Sequence, residues 1–118
     1  MKIAICLPSR NVNCKHYNET FLYKVFLKSF IQTQCKEYQY ILCVVIDDDD
    51  IIYSKEEELN KIINFVNLID NIEIKFISSK GIKKGHVTSM WNRAFEYAYN
   101  IKCDYFYQCG DDIEFMDK

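Results

Sequence analysis

The nine residues YQYILCVVI at positions 38–46, followed at once by four aspartates at 47–50, decide the predicted fold. Apolar side chains occupy nearly every position of this run, which is typical of a strand with both faces buried. Similar apolar runs stand at 2–8 (KIAICLP) and at 103–109 (CDYFYQC). Such strands occur mainly in parallel sheets covered by helices, so the sequence predicts an α/β protein.

Helical patterns lie between these strands. Apolar residues recur at helical spacing across 19–35 and again across 86–100. Between these two, Ser54 and Glu57 have the spacing of a capping box, which predicts that another helix begins at Ser54. The run IEIKFIS at 72–78 alternates enough to be a strand, and we expect it nearer the edge of the sheet.

The order of these elements is strand and helix three times, then a fourth strand. With right-handed crossovers this order predicts a Rossmann-like fold: an open, mainly parallel four-stranded sheet with helices on both faces. The 118 residues suffice for one hydrophobic core and contain no repeat or linker. We therefore expect a single domain spanning residues 1–118.

Composition narrows the classes of function. The net charge of −2 argues against a nucleic-acid binder, which usually carries a basic face. No apolar run approaches the roughly 20 residues of a membrane span, and the N-terminal stretch MKIAICLPSR does not predict a signal peptide. The six cysteines include no C-x-x-C pair, so we interpret them as reduced thiols and expect a cytoplasmic protein.

Polar residues follow the predicted strands at the point where each strand ends. Those after the first, second and fourth strands are Ser9, Arg10 and Asn11; Asp47 to Asp50; and Gly110, Asp111 and Asp112. Ligands of open parallel sheets bind outside the carboxyl ends of the strands, where these residues would meet. The pattern predicts a single binding site at that edge.

The adjacent carboxylates of Asp111 and Asp112 suggest a cation. Gly110 permits a turn in which the two side chains converge, and carboxylates held close together repel unless a cation or a proton neutralises one. Mg²⁺ or Mn²⁺ would satisfy the pair together with water and phosphate oxygens. The alternative is that the two aspartates cap the N-terminus of a following helix.

The other polar residues carry weaker signals. At least two of the four aspartates at 47–50 are expected in a solvated loop, while one could accept from a ribose hydroxyl or a base amide. Arg10 suits stacking on a base or pairing with phosphate, but it is equally compatible with a plain surface residue. The first turn, PSRN, lacks the G-x-G-x-x-G phosphate loop, which argues against a conventional NAD site.

Four stretches together resemble a known family. They are ICLPSRN (5–11), VVIDDDD (44–50), MWNRAFEYA (90–98) and CDYFYQCGDD (103–112). In this order they resemble the nucleotide-sugar-binding half of GT-A glycosyltransferases, especially the family-2-like group. The last stretch departs from the family's D-x-D motif, because Cys109 stands at its first acidic position.

The resemblance implies a site. It implies nucleotide-binding roles for Ser9, Arg10, Asn11, Asp47, Asp48, Lys84 and Asp111, and metal-binding roles for Asp112 and Asp111. The cofactor implied is Mn²⁺ or Mg²⁺, and the ligand implied is a UDP- or GDP-linked nucleotide diphosphate sugar. The implied activity is transfer of the sugar to an acceptor.

The resemblance also implies a missing half. In this family the acceptor-binding half and the general base follow the D-x-D strand, whereas this chain stops six residues beyond Asp112. We therefore expect a GT-A-like sheet truncated after its fourth strand, with no assignable catalytic base. We expect either a fragment or split product of a longer transferase, or a second copy or second protein that supplies the acceptor site. The alternative is a non-catalytic nucleotide-binding or interaction module.

Overall fold

The computed structural model describes residues 1–83 and 86–115. Its strands form one sheet in which every neighbouring pair is parallel, in the order β3-β2-β1-β4. The strands are β1 (Lys2–Ser9), β2 (Gln39–Ile46), β3 (Ile72–Ser78) and β4 (Tyr105–Gln108). The predicted α/β class, the four-stranded parallel sheet and the edge position of the third strand are confirmed.

Three helical segments connect the strands. The first is a π-helical turn, Leu22–Leu27, that continues into α1 (Lys28–Thr33) and follows a short 3-10 turn at Tyr17–Glu19. The others are α2 (Glu56–Asn67) and α3 (Val87–Asn100). In the described residues no helix is long and apolar enough to cross a membrane.

The predicted capping box at Ser54 and Glu57 is wrong. Helix α2 begins at Glu56 with Lys55 as its N-cap residue, and no side chain caps it. The Ser54 hydroxyl donates instead to the backbone carbonyl of Asp50. It is unavailable to the helix because it closes the preceding turn, in which the Ser54 N–H also donates to the Asp50 carbonyl.

Successive side chains of β1 and β2 point to opposite faces of the sheet. Because these side chains are apolar on both faces, helices cover both faces of the sheet. On one face, Leu7 and Leu42 pack in a cluster with residues of the first two helical segments and α2, among them Phe26, Ile62 and Val66. On the other face, Cys6 and Cys43 pack in a cluster with Met90, Ala94 and Ala98 of α3. Both clusters are buried, which confirms the predicted helix–sheet–helix arrangement.

The topology creates a crevice between β1 and β4. The chain leaves β1 toward β2 and β3 on one side, then crosses back through α3 to place β4 on the other side. Ser9 is level with Ile46 and Ser78 at the ends of β2 and β3, while β4 ends at Gln108, level with Cys6. Residues after β4 therefore run beside the end of β1, at the switch point where such folds bind ligands.

Candidate functional site

A cavity of about 240 Å³ opens at this crevice. Four of the predicted site residues line it: Ser9, Arg10, Asp47 and Asp111. The other described residues that line it are Pro8, Ile82, Lys83, Val87 and Met90. The structure thus brings together the ends of β1, β2 and β4 and the start of α3, with carboxylates, cations and an apolar surface around one space.

Ser9 connects the three strand ends at the floor of the site. Its side chain is buried, and its hydroxyl donates to Asp111 Oδ2 over 2.7 Å. The hydroxyl of Tyr53, which follows β2 in the chain, lies 2.6 Å from the same Ser9 oxygen. Burial raises the pKa of the Tyr53 hydroxyl, so this group keeps its proton at neutral pH.

Asp111 is held in a tight turn after β4. The Ile113 N–H donates to the Gly110 carbonyl, and the Asp112 carboxylate folds back over Gly110, where a Cβ would lie 3.0 Å from Asp112 Oδ1. Burial raises the pKa of the Asp111 carboxyl and the nearby charge of Asp112 raises it further, while the hydrogen bond from Ser9 lowers it. Ionised Asp111 is therefore an electrostatically costly group.

The structure describes three residues after Asp112, and these bear on the alternative that Asp111 or Asp112 caps a following helix. Residues 113–115 are not helical, and Phe115 contacts the core through Phe26 and Phe30. Residues 116–118 lie outside the described part of the chain. Within 113–115, therefore, no helix begins that Asp111 or Asp112 would cap.

The four aspartates after β2 occupy different environments. Asp47 lines the cavity and accepts from the Ser79 hydroxyl over 2.7 Å, whereas the exposed Asp48 accepts from the Ser78 hydroxyl over 2.7 Å. Both contacts tie the end of β2 to the end of β3. Asp47 is accordingly the member of this run that faces the β1–β4 crevice.

Asp50 is the buried member of the run. Asp50 Oδ2 accepts from the Asn11 N–H over 2.8 Å, and Oδ1 accepts from the Asn11 side-chain amide over 3.0 Å. Oδ1 also accepts from the backbone N–H groups of Ile52 and Tyr53. Asn11 thus uses its backbone N–H and its side-chain amide to join the β1 loop to the β2 loop, beside a second cavity of about 290 Å³ that it lines with Arg10 and Asp47.

In the sequence, Asp50 belongs to the predicted site only as one of the run 47–50 and Tyr53 has no predicted role, yet both residues organise the site. The contacts from the Asp50 carboxylate to the N–H groups two and three residues later are those of a helical N-cap. An aspartate before IIYS is a recognisable signal for that turn. The contact between Tyr53 and Ser9 spans 44 residues and has no local sequence signal.

The remaining predicted residues are Asp112 and Lys84. Asp112 is exposed beside Asp111. Lys84 lies outside the described residues.

The donor set suits a hard cation only in a partly hydrated mode. Among residues 1–83 and 86–115, no group of three or more His, Cys, Asp or Glu side chains is arranged to hold a metal ion. Mg²⁺, however, commonly takes one or two carboxylates and completes its shell with water and substrate phosphates. Asp111 and Asp112 are two adjacent carboxylates, and a cation beside them would offset both the burial and the repulsion from Asp112 that raise the pKa of Asp111.

Comparison with known proteins adds no information on the function of this site. No protein-family model matches the chain, and neither the curated proteins nor the solved structures give a match. The resemblance to GT-A glycosyltransferases therefore rests on the sequence motifs, and any function must be argued from the site itself.

Proposed function

We propose that the chain binds a UDP- or GDP-linked sugar with Mn²⁺ or Mg²⁺ in the β1–β4 cavity, as the donor-binding part of a glycosyltransferase. The observation that carries the proposal is the convergence of Ser9, Asp47 and Asp111 on one cavity at the switch point of a parallel sheet. These residues come from the ends of three different strands. Among the described residues, an apolar wall and the cations Arg10 and Lys83 also line the cavity.

The charges around the cavity favour a ligand that arrives with a cation. Asp47 and Asp111 would repel a bare diphosphate, so a divalent ion between the carboxylates and the phosphates would strengthen binding. Asp111 and Asp112 would hold the ion. When bound, it would stabilise the charge that develops on the departing nucleoside diphosphate. Arg10 and Lys83 line the same cavity and would neutralise further phosphate charge.

The other residues suit the remaining parts of such a ligand. One oxygen of Asp47 accepts from Ser79, and the carboxylate keeps further lone pairs that can accept from a ribose hydroxyl or a base N–H. Pro8, Val87 and Met90 offer apolar surface against which a planar ring can pack. This division into an acidic, a cationic and an apolar part favours a nucleotide over an uncharged metabolite.

Titration calorimetry of UDP and GDP, with Mn²⁺ present and then chelated, tests the proposal. We expect binding of one nucleotide that disappears on chelation. Asp111→Asn keeps an acceptor for Ser9 but removes the charge, and loss of a metal ligand should weaken binding at least about tenfold. Asp70→Asn, at the exposed N-terminal end of β3, is the matched control and should bind normally.

Binding that persists after chelation, or that Asp111→Asn leaves unchanged, would contradict the site assignment. A second measurement separates the two functional classes. Hydrolysis of the bound nucleotide sugar, or its transfer to an acceptor, would identify a working transferase. Metal-dependent binding without either reaction would favour the non-catalytic module.

A further inference from the structure

Two hydrogen bonds link the Tyr53 hydroxyl, the Ser9 hydroxyl and the Asp111 carboxylate at the cavity, and the contacts determine which group donates in each. The Ser9 hydroxyl has one proton and donates it to Asp111 Oδ2 over 2.7 Å. The Tyr53 hydroxyl lies 2.6 Å from the Ser9 oxygen, close enough for a hydrogen bond between them. Since the Ser9 proton is already committed, Tyr53 is the donor and Ser9 the acceptor.

Tyr53 is itself held firmly. Its ring is buried and packs against Phe76 with centroids 5.4 Å apart. Its backbone N–H donates to Asp50 Oδ1 over 3.1 Å, and Asp50 in turn binds Asn11 at the end of β1. The hydroxyl of Tyr53 is therefore fixed relative to β1 by contacts that do not include Ser9.

The far end of the chain of hydroxyl groups is the carboxylate that faces the cavity. The Asp111 carboxylate accepts from the Ser9 hydroxyl through Oδ2 over 2.7 Å. The Ser9 hydroxyl is free to rotate about its C–O bond. Its direction therefore decides whether the carboxylate is held in one orientation or samples several.

We infer that Tyr53 is a positioning residue: by donating to Ser9 it directs the Ser9 proton onto Asp111 and so holds the Asp111 carboxylate in the orientation that the ligand meets. Tyr53 does not line the cavity and need not touch the ligand. The effect of Tyr53 on ligand binding rests on the proposed function. The orientation of Asp111 is a property of the free protein and is testable without any ligand.

Tyr53→Phe removes the hydroxyl and retains the ring that packs against Phe76. The first measurement is the side-chain carboxyl ¹³C resonance of Asp111 at pH 7 in the free protein. We expect Tyr53→Phe to shift or broaden this resonance in the same sense as Ser9→Ala, because both remove the directed hydrogen bond. Tyr40→Phe, at another buried tyrosine whose hydroxyl accepts from the Cys35 N–H, should leave it unchanged.

The second measurement is the affinity for UDP or GDP with Mn²⁺. Loss of one hydrogen bond should weaken binding by Tyr53→Phe roughly 2- to 12-fold. In a Ser9→Ala background, where the connection is already broken, Tyr53→Phe should weaken it no further. A purely structural contribution of Tyr53 would instead add to the effect of Ser9→Ala.

The outcomes separate the inference from the proposed function. An unchanged Asp111 resonance in folded Tyr53→Phe would overturn the inference, whatever the ligand affinity. A changed resonance together with no nucleotide binding by the unmodified protein would support the positioning role and refute the proposed function. If Tyr53→Phe fails to fold, Ser9→Ala and Ser9→Thr address the same connection: Thr keeps the hydroxyl and should restore the resonance that Ala loses.

Discussion

Among single residues, three of the four consecutive aspartates after β2 have different roles. Asp47 faces the cavity, Asp48 is exposed, and Asp50 is buried with its two oxygens surrounded by N–H donors. The difference lies in their partners. A buried carboxylate is tolerated only where hydrogen bonds replace water, and Asp50 receives them from Asn11, Ile52 and Tyr53.

Replacing Asp50 should therefore be far more costly than replacing Asp48. Asp50→Ala leaves several buried N–H groups without an acceptor, and we expect a loss of about 3 kcal/mol in the free energy of unfolding. Asp48→Ala removes one exposed contact with Ser78 and should cost less than about 1 kcal/mol. Urea unfolding of the two variants measures both values, and equal losses would contradict the structural role of Asp50.

At the scale of elements, α2 holds the loop that follows β1 through one glutamate. Glu58 Oε2 accepts from the Tyr17 N–H over 2.7 Å, and Oε1 lies 3.2 Å from His16 Nδ1. Lys61 stands on the next turn, 3.8 Å from the same carboxylate. The hydrogen bond from Tyr17 lowers the pKa of Glu58, and the contact with His16 lowers it further.

The charge of Glu58 should make part of the stability depend on pH. A carboxylate whose folded-state pKa is depressed stabilises the fold above its unfolded-state pKa, and this contribution is lost as pH falls through the folded-state value. Glu58→Gln should therefore lower the unfolding free energy at pH 7, and the difference from the unmodified protein should narrow below about pH 4.5, the ordinary value.

A control separates this contact from the general preference of helix N-termini for acidic residues. Glu57 is exposed in the same first turn of α2. Glu57→Gln removes a similar charge from the helix terminus without the contacts to Tyr17 and His16. Chemical denaturation of both variants from pH 3 to pH 8 makes the comparison. The same pH profile for both would show that the helix terminus, not the contact, is responsible.

At the scale of the whole molecule, stability is distributed unevenly across the sheet. Strands β1 and β2 each pair on both sides and are largely buried. Strand β4 has four residues, pairs among the described residues with β1 alone, and is exposed at every position. Tyr105 and Tyr107 are 58% and 60% exposed, so this edge buries little apolar surface and contributes little to the core.

Amide hydrogen exchange should follow this gradient. The amides of β1 and β2 should exchange only through global unfolding, whereas those of β4 should open locally and exchange faster. Exchange measured residue by residue by NMR would show the order, with the other edge strand, β3, as the internal comparison. Exchange in β4 as slow as in β1 would contradict the gradient and would indicate that something covers this edge in solution.

Local patterns predicted most of the architecture. The range predicted for β3 agrees with the structure residue for residue, and β2 begins one residue later than predicted. The predicted apolar strand at 103–109 shortened to Tyr105–Gln108, because only those residues pair with β1. The helix start at Ser54 was wrong, since the Ser54 hydroxyl closes the turn that begins at Asp50.

The α/β class, the parallel sheet and the strand ends at which the polar residues collect could all be predicted from the amino-acid sequence. These follow from periodicity and from chain order, which are local properties. Three features required the folded structure: which residue of each polar cluster faces the cavity, which residue is buried, and the contact between Tyr53 and Ser9. Those outcomes depend on contacts between residues about 40 to 100 positions apart, such as Asn11 with Asp50 and Ser9 with Asp111. Local sequence does not encode such contacts, because they form only when the strands assemble side by side.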